Sequence, residues 1–111
     1  MKFEVAHDAN IAIVQLTGRL DGVTSGGVEQ ELLKLVNGPT RQVVVDLAGL
    51  DYISSVGLRV LLLLAKRLKP LGGQAVVCAM QPAIHQVFDI AGFANIFEVY
   101  PTRAEALSRL R

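Results

Sequence analysis

The sequence predicts an α/β fold, a mixed, mostly parallel β-sheet packed by about four helices. Three observations predict it. Short apolar runs alternate along the chain with stretches of helical period. The run Val43-Val44-Val45 is β-branched without polar alternation, the pattern of a strand covered on both faces by helices. The 111 residues fit one compact domain, and a 51% apolar composition supplies material for its core.

Each element has its own signal. Residues 3–6 predict a first strand and residues 11–16 a second, with His7-Asp8-Ala9-Asn10 as the turn between them. Gly18 follows, and residues 19–22 read as a loop. Val28, Leu32, Leu35 and Val36 recur at the spacing of one helical face. Thr24 or Ser25 can cap that helix, and Asn37-Gly38-Pro39 ends it. After the 43–45 strand a long helix is predicted from about Ser55 to Leu68, broken by Pro70-Leu71-Gly72-Gly73. Its polar side is Arg59, Lys66, Arg67 and Lys69. Residues 75–79 predict another buried strand. Pro82 opens a helix carrying Ile84, Val87, Phe88 and Ala91, closed by Gly92. Residues 96–99 predict a short edge strand. Thr102 and Glu105 form a capping box for a last helix, with Arg109 and Arg111 where the helix dipole favours positive charge. The predicted order is ββαβαβαβα, without repeat or linker.

Composition excludes several function classes. A net charge of +1 with scattered Lys and Arg offers no basic stripe for a nucleic acid, so no nucleic-acid partner is expected. The absence of Trp and the scarcity of aromatics argue against a base-stacking surface. The single cysteine, Cys78, rules out an internal disulfide framework and multi-cysteine metal motifs, and fits a reducing compartment. The opening residues are too few and too polar for a signal peptide. The longest apolar run, residues 60–65, is far short of the about 20 residues a span requires. These features predict a cytoplasmic protein without membrane insertion.

Enzyme signatures are scarce. The sequence contains no Gly-x-Ser-x-Gly elbow, no Gly-x-x-x-x-Gly-Lys-Ser/Thr loop and no Gly-x-Gly-x-x-Gly. His7 and His85 lack spaced metal-ligand partners. Cys78, in an apolar strand, reads as a small hydrophobe. Asp46 and Asp51 are close in sequence, but catalysis needs a spatial pairing that spacing alone does not supply. No catalytic residue, cofactor or metal is expected.

One segment is chemically unusual: Asp46-Leu47-Ala48-Gly49-Leu50-Asp51-Tyr52-Ile53-Ser54-Ser55-Val56-Gly57-Leu58-Arg59. A buried strand leads to two serines at the start of a very apolar helix. Either serine can be an N-cap. The same position also suits a phosphate, because the helix start has free N–H donors and a positive dipole end.

Residues 50–58 resemble the phosphorylation-site signature of bacterial anti-sigma-factor antagonists of the STAS type, commonly Asp-Ser-Ser/Thr-Gly-Leu after a strand. Thr17-Gly18-Arg19-Leu20-Asp21 is similar to that family's Gly-x-Leu/Ile-Asp element. Gly72-Gly73 and Val87-Phe88-Asp89-Ile90-Ala91-Gly92-Phe93 also match, so the resemblance covers nearly the whole chain. It implies one STAS domain over residues 1–111.

The resemblance implies a switch and not an enzyme. The unphosphorylated antagonist binds an anti-sigma factor that is also a serine protein kinase of the histidine-kinase-like ATPase type, and so releases a sigma factor. Phosphorylation dissociates the complex, and a metal-dependent serine phosphatase of the PP2C type restores the serine. By alignment the phosphoacceptor is Ser55, with Ser54 as the alternative. The partner surface comprises Asp21, Ser54, Ser55, Val56, Gly57, Leu58 and Arg59. Asp21, in a Gly-rich loop, is expected to serve that surface and not stability. Two departures stand out: Ser54 replaces the usual Asp, and Val56 the usual second Ser/Thr. Arg59, where a small residue is often found, lies four residues from Ser55, the spacing at which it could meet a phosphate. The alternative is a non-switching STAS scaffold in a larger signalling or lipid-transport complex, with Ser55 only a cap.

Overall fold

Val43, Val44 and Val45 are all buried, because the strand that carries them lies mid-sheet with helices on both sides. The computed structural model describes residues 1–111. In chain order the elements are β1 (Lys2–Asp8), β2 (Ile11–Leu20), α1 (Ser25–Asn37), β3 (Gln42–Ile53), α2 (Ser55–Leu68), β4 (Gln74–Cys78), α3 (Pro82–Ala91), β5 (Glu98–Tyr100) and α4 (Arg103–Leu110). This is the predicted order. The sheet runs β1-β2-β3-β4-β5. β1 and β2 pair antiparallel, and every other neighbouring pair is parallel.

Strand alternation divides the interior between the two faces. On one face Ala12, Val14, Leu16, Val43, Val45 and Val77 pack against α1, α2 and α3, through residues such as Leu32, Leu61, Leu64 and Phe88. On the other face Ile11, Ile13, Val44, Val76 and Cys78 pack beneath Ala106 of α4. An ion pair fixes α4 in place. Arg103 Nε donates to the buried carboxylate of Asp46 at 2.8 Å, and its terminal nitrogen donates to Gln15 Oε1 at 3.3 Å. At its far end Arg111 reaches Asp8.

Several boundaries differ from the sequence expectation, each for a physical reason. β2 continues through Leu20, since β3 continues beside it to Ile53 and supplies partners. The predicted loop at residues 19–22 therefore contracts toward residues 21–24. The hairpin turn is only Ala9-Asn10, with Ala9 at φ +53°. Neither Thr24 nor Ser25 caps α1 with its side chain. Thr24 has helical backbone angles, and its hydroxyl instead donates to the Arg19 carbonyl at 2.7 Å. At the other end of α1, Arg41 donates to the carbonyls of Gly38 at 2.9 Å and Thr40 at 2.7 Å. β5 begins at Glu98, two residues later than expected, because Phe97 turns inward to stack with Phe93 beside Phe88. In the capping box Thr102 accepts from the Glu105 N–H at 3.1 Å, but the Glu105 carboxylate does not return the bond.

Candidate functional site

β2 and β3 outrun the rest of the sheet. Their pairing continues to Leu20 and Ile53, whereas β3 and β4 part after Asp46 and Cys78. Two irregularities in the β2–β3 register accommodate the extension. Gly18, at φ +106°, lies at one of them, in a conformation that favours glycine. Gly49 lies at the other: a Cβ there would sit 2.8 Å from Thr17 Oγ1. The result is a two-stranded projection whose tip turns into α1 on one side and α2 on the other.

At this tip the Ser54 N–H donates to the Leu20 carbonyl at 2.9 Å, which sets residues 19–25 beside residues 51–59. Gly57 makes that approach possible, since a Cβ on it would lie 2.7 Å from the Leu20 carbonyl oxygen. The two sequence elements that carry the family resemblance are thus neighbours in space.

The two serines have different roles. Ser54 has extended backbone angles and its hydroxyl accepts from the Gly57 N–H at 3.2 Å, so it is the N-cap of α2. Its carbonyl accepts from the Leu58 N–H at 2.9 Å. Ser55 is the first helical residue. It is exposed, and its hydroxyl makes no hydrogen bond with the protein. Spacing left both serines open as caps; the backbone assigns the cap to Ser54.

The other expected site residues divide by exposure. Val56 is 40% exposed. Arg59 is exposed and forms no ion pair. Leu58 is half-buried and packs against the larger core. Gly57, expected on the partner surface, is buried, and its contribution is the close approach described above.

Asp21 corrects a second expectation. Its Oδ1 accepts from the N–H groups of Val23 at 3.0 Å and Thr24 at 3.2 Å, an Asx turn that shapes the loop into α1. Its carbonyl accepts from both the N–H and the hydroxyl of buried Ser25. The Thr24 and Val23 bonds hold the carboxyl below the usual carboxylate range. Asp21 therefore organises the loop, contrary to a purely interfacial role. Its second oxygen, Oδ2, lies 3.6 Å from Arg19 Nε.

Three residues around the serines were missed by sequence reasoning. The Arg19 guanidinium lies over the Tyr52 ring, 4.2 Å from its centroid. Tyr52 is 42% exposed and Val23 is 93% exposed. Arg19 and Tyr52 stand 33 positions apart in the numbering and meet only through the β2–β3 register, so no local pattern could have marked them.

Elsewhere the titratable groups have structural surroundings. Burial, with the Asp46 charge nearby, pushes the Cys78 thiol up to about 12. Asp46 is held by Arg103, whereas Asp51 is exposed, with Gln81 Nε2 at 3.5 Å. His85 lies 3.8 Å from Asp89 on the outside of α3. No group of three His, Cys, Asp or Glu side chains converges as a metal site would need. No helix is long and apolar enough to cross a membrane.

Comparison with known proteins agrees with this geometry. A model of the STAS domain family matches residues 2–106. The chain is 39% identical over 111 residues to BtrV of Bordetella bronchiseptica, whose name is that of an anti-sigma factor antagonist; the match covers 100% of this chain and 96% of that protein. It is 30% identical over 111 residues to the anti-sigma F factor antagonist of Paenibacillus polymyxa, covering 99% of this chain and 95% of the relative. Among solved structures, an anti-sigma factor antagonist from Mycobacterium paratuberculosis superposes with a TM-score of 0.90 at 28% identity, over 97% of this chain and 92% of that one.

Proposed function

This chain belongs to the STAS-domain family of anti-sigma factor antagonists, and from that premise we propose that it is a cytoplasmic switch, a regulator and not an enzyme, controlled by phosphorylation of Ser55. In its unmodified form it binds an anti-sigma factor that is also a serine kinase of the histidine-kinase-like ATPase type, and a sigma factor is released. The kinase transfers the γ-phosphoryl group of ATP to Ser55 Oγ, which loses its proton, and ADP remains. A metal-dependent phosphatase of the PP2C type hydrolyses the phosphoester, returning serine and inorganic phosphate. The partner face comprises Asp21, Ser54, Ser55, Val56, Leu58 and Arg59, with Gly57 fixing the spacing beneath it.

One observation carries this reading. Ser55 is exposed with an uncommitted hydroxyl, while Ser54 beside it is spent on the helix cap. Ser55 is not needed as the helix cap, so its hydroxyl is available for modification. Phosphate on Ser55 adds about −1.5 to −2 charges at an exposed point of the tip. The helix start tolerates that charge, so the fold need not change. The neighbouring apolar surface of Val56 suits a dehydrated contact, where an added charge is costly. Modification therefore weakens partner binding without unfolding the antagonist.

The test is direct. The protein is incubated with ATP and the kinase, and intact-mass and fragment spectra locate the phosphate. One phosphate on Ser55 is expected. Phosphate on Ser54 with Ser55 empty overturns the assignment. Ser55→Ala is expected to keep kinase binding and lose its control by ATP. Equal kinase affinity for unmodified and phosphorylated protein overturns the switch.

A further inference from the structure

Beside the two serines lies a three-residue unit, Arg19, Asp21 and Tyr52, in which Asp21 belongs to a family motif and Arg19 and Tyr52 are given no role by one. Arg19 is exposed, yet it is held from two sides. The Tyr52 ring lies beneath its guanidinium at 4.2 Å, and Asp21 Oδ2 lies 3.6 Å from its Nε. The second contact is an ion pair beyond hydrogen-bond length, and no donor of this guanidinium is committed to a hydrogen bond within the protein. A planar donor fork is thus held in place with its donors free.

The carboxylate opposite Arg19 is less free. Asp21 Oδ1 is committed to the Val23 and Thr24 N–H groups, so Asp21 cannot turn away without undoing the loop. Arg19 can leave at the expense only of an exposed ion pair and an exposed ring contact, both weak in water. The chain path from Arg19 to Ser55 is short. Arg19 precedes Leu20, the Leu20 carbonyl binds the Ser54 N–H, and Ser55 follows. Asp51, near Gln81, and Arg59, one turn along α2, are further charged side chains on this tip.

We propose that Arg19 is the counter-cation of phosphorylated Ser55, exchanging the fixed Asp21 carboxylate for the phosphate oxygens and uncovering the Tyr52 ring. This rests on Ser55 being the phosphoacceptor. A phosphate monoester carries more charge than a carboxylate and presents three oxygens to the guanidinium. Asp21, anchored by the loop, repels the new group and cannot compensate it. The exchange changes the partner face at Arg19 and Tyr52 as well as at Ser55.

Phosphoserine is installed at position 55 by an expanded genetic code, so no kinase enters the experiment. Its failure would leave kinase control to be judged by the mass-spectrometric assay. The phosphate is titrated by phosphorus NMR in an otherwise wild-type background and in Arg19→Gln, Arg19→Lys and Arg59→Gln. A nearby cation favours the dianion, so Arg19→Gln is expected to raise the phosphate pKa by about half a pH unit. Arg19→Lys is expected to restore most of the difference. On phosphorylation the Arg19 side-chain N–H resonance is expected to leave the shielding region of the Tyr52 ring. Superimposable titrations of wild type and Arg19→Gln overturn the proposal. So does a pKa that moves only with Arg59→Gln, which assigns the phosphate to Arg59.

Discussion

At the scale of single residues, two side chains have ionisation states set by their surroundings. Asp21 fixes its loop through Oδ1 and presents only Oδ2 outward. Asp21→Asn keeps an acceptor for the loop N–H groups and removes the charge; Asp21→Ala removes both. The alanine variant is therefore expected to melt a few degrees lower, the asparagine variant to melt near wild type, and both to bind the kinase more weakly. Thermal unfolding alongside binding titrations separates the two roles. Because the folded carboxyl lies below its ordinary value of 3.8, its stabilising contribution is present above that pH. The contribution is lost as pH falls through the lower folded value. Cys78 behaves in the opposite direction. Burial raises its thiol from 9.0 to about 12, so the folded chain keeps a proton that the unfolded chain releases. The Cys78 contribution is constant below pH 9, and stability is expected to fall by about 1.4 kcal/mol per pH unit as pH rises between 9 and 12. Urea unfolding of wild type and Cys78→Ala across that range checks it, since the alanine variant lacks this slope. A thiol reagent at neutral pH is expected to label Cys78 only as fast as the protein opens.

At the scale of elements, the start of α2 is the sensitive point. Ser54→Ala removes the cap and is expected to cost about 1 kcal/mol. Ser55→Ala, with no hydrogen bond to lose, is expected to change stability by less than about 0.5 kcal/mol. Gly57→Ala is expected to cost about 1–3 kcal/mol, because its Cβ must displace the Leu20 carbonyl. Denaturant melts of the three variants rank them, and a Ser55→Ala loss equal to that of Ser54→Ala would contradict the assignment of the cap. These elements also mark how far the sequence was legible. The limits of α2 could be read because Leu58, Leu61, Leu62 and Leu68 keep helical spacing between a serine start and Pro70. The end of β2 could not, because Arg19 and Leu20 become strand only through pairing with Tyr52 and Ile53. The cap of α1 was misread for a related reason. Thr24 has the right residue type, but Asp21 three positions earlier takes the loop N–H groups first. At the site itself, motif and alignment selected Ser55, whereas its difference from Ser54 depends on backbone angles that no composition encodes. Arg19 and Tyr52 needed the register.

At the scale of the whole molecule, one ion pair holds the second face of the sheet. Arg103 reaches Asp46 and Gln15 together, tying α4 across β2 and β3. Arg103→Ala strands a buried carboxylate and is expected to destabilise the protein by about 1–3 kcal/mol, the partial exposure of Arg103 limiting the loss. Asp46→Asn is expected to cost less, as it removes the stranded charge but keeps an acceptor for Ala48. Neither variant touches the tip where Ser55 lies, so kinase affinity is expected to be unchanged when measured well below the melting temperature. The strand order β1-β2-β3-β4-β5 repeats the order of synthesis. Each strand leaving the ribosome finds its partner already made, and no later segment must be threaded between earlier ones. Only the β1–β2 hairpin closes a short loop; each parallel pairing closes a connection that contains a helix, so the hairpin is the pair expected to form first. Both halves of the serine tip lie within the first 59 residues, so the nascent chain has synthesised the whole of the proposed partner face before the last two strands exist.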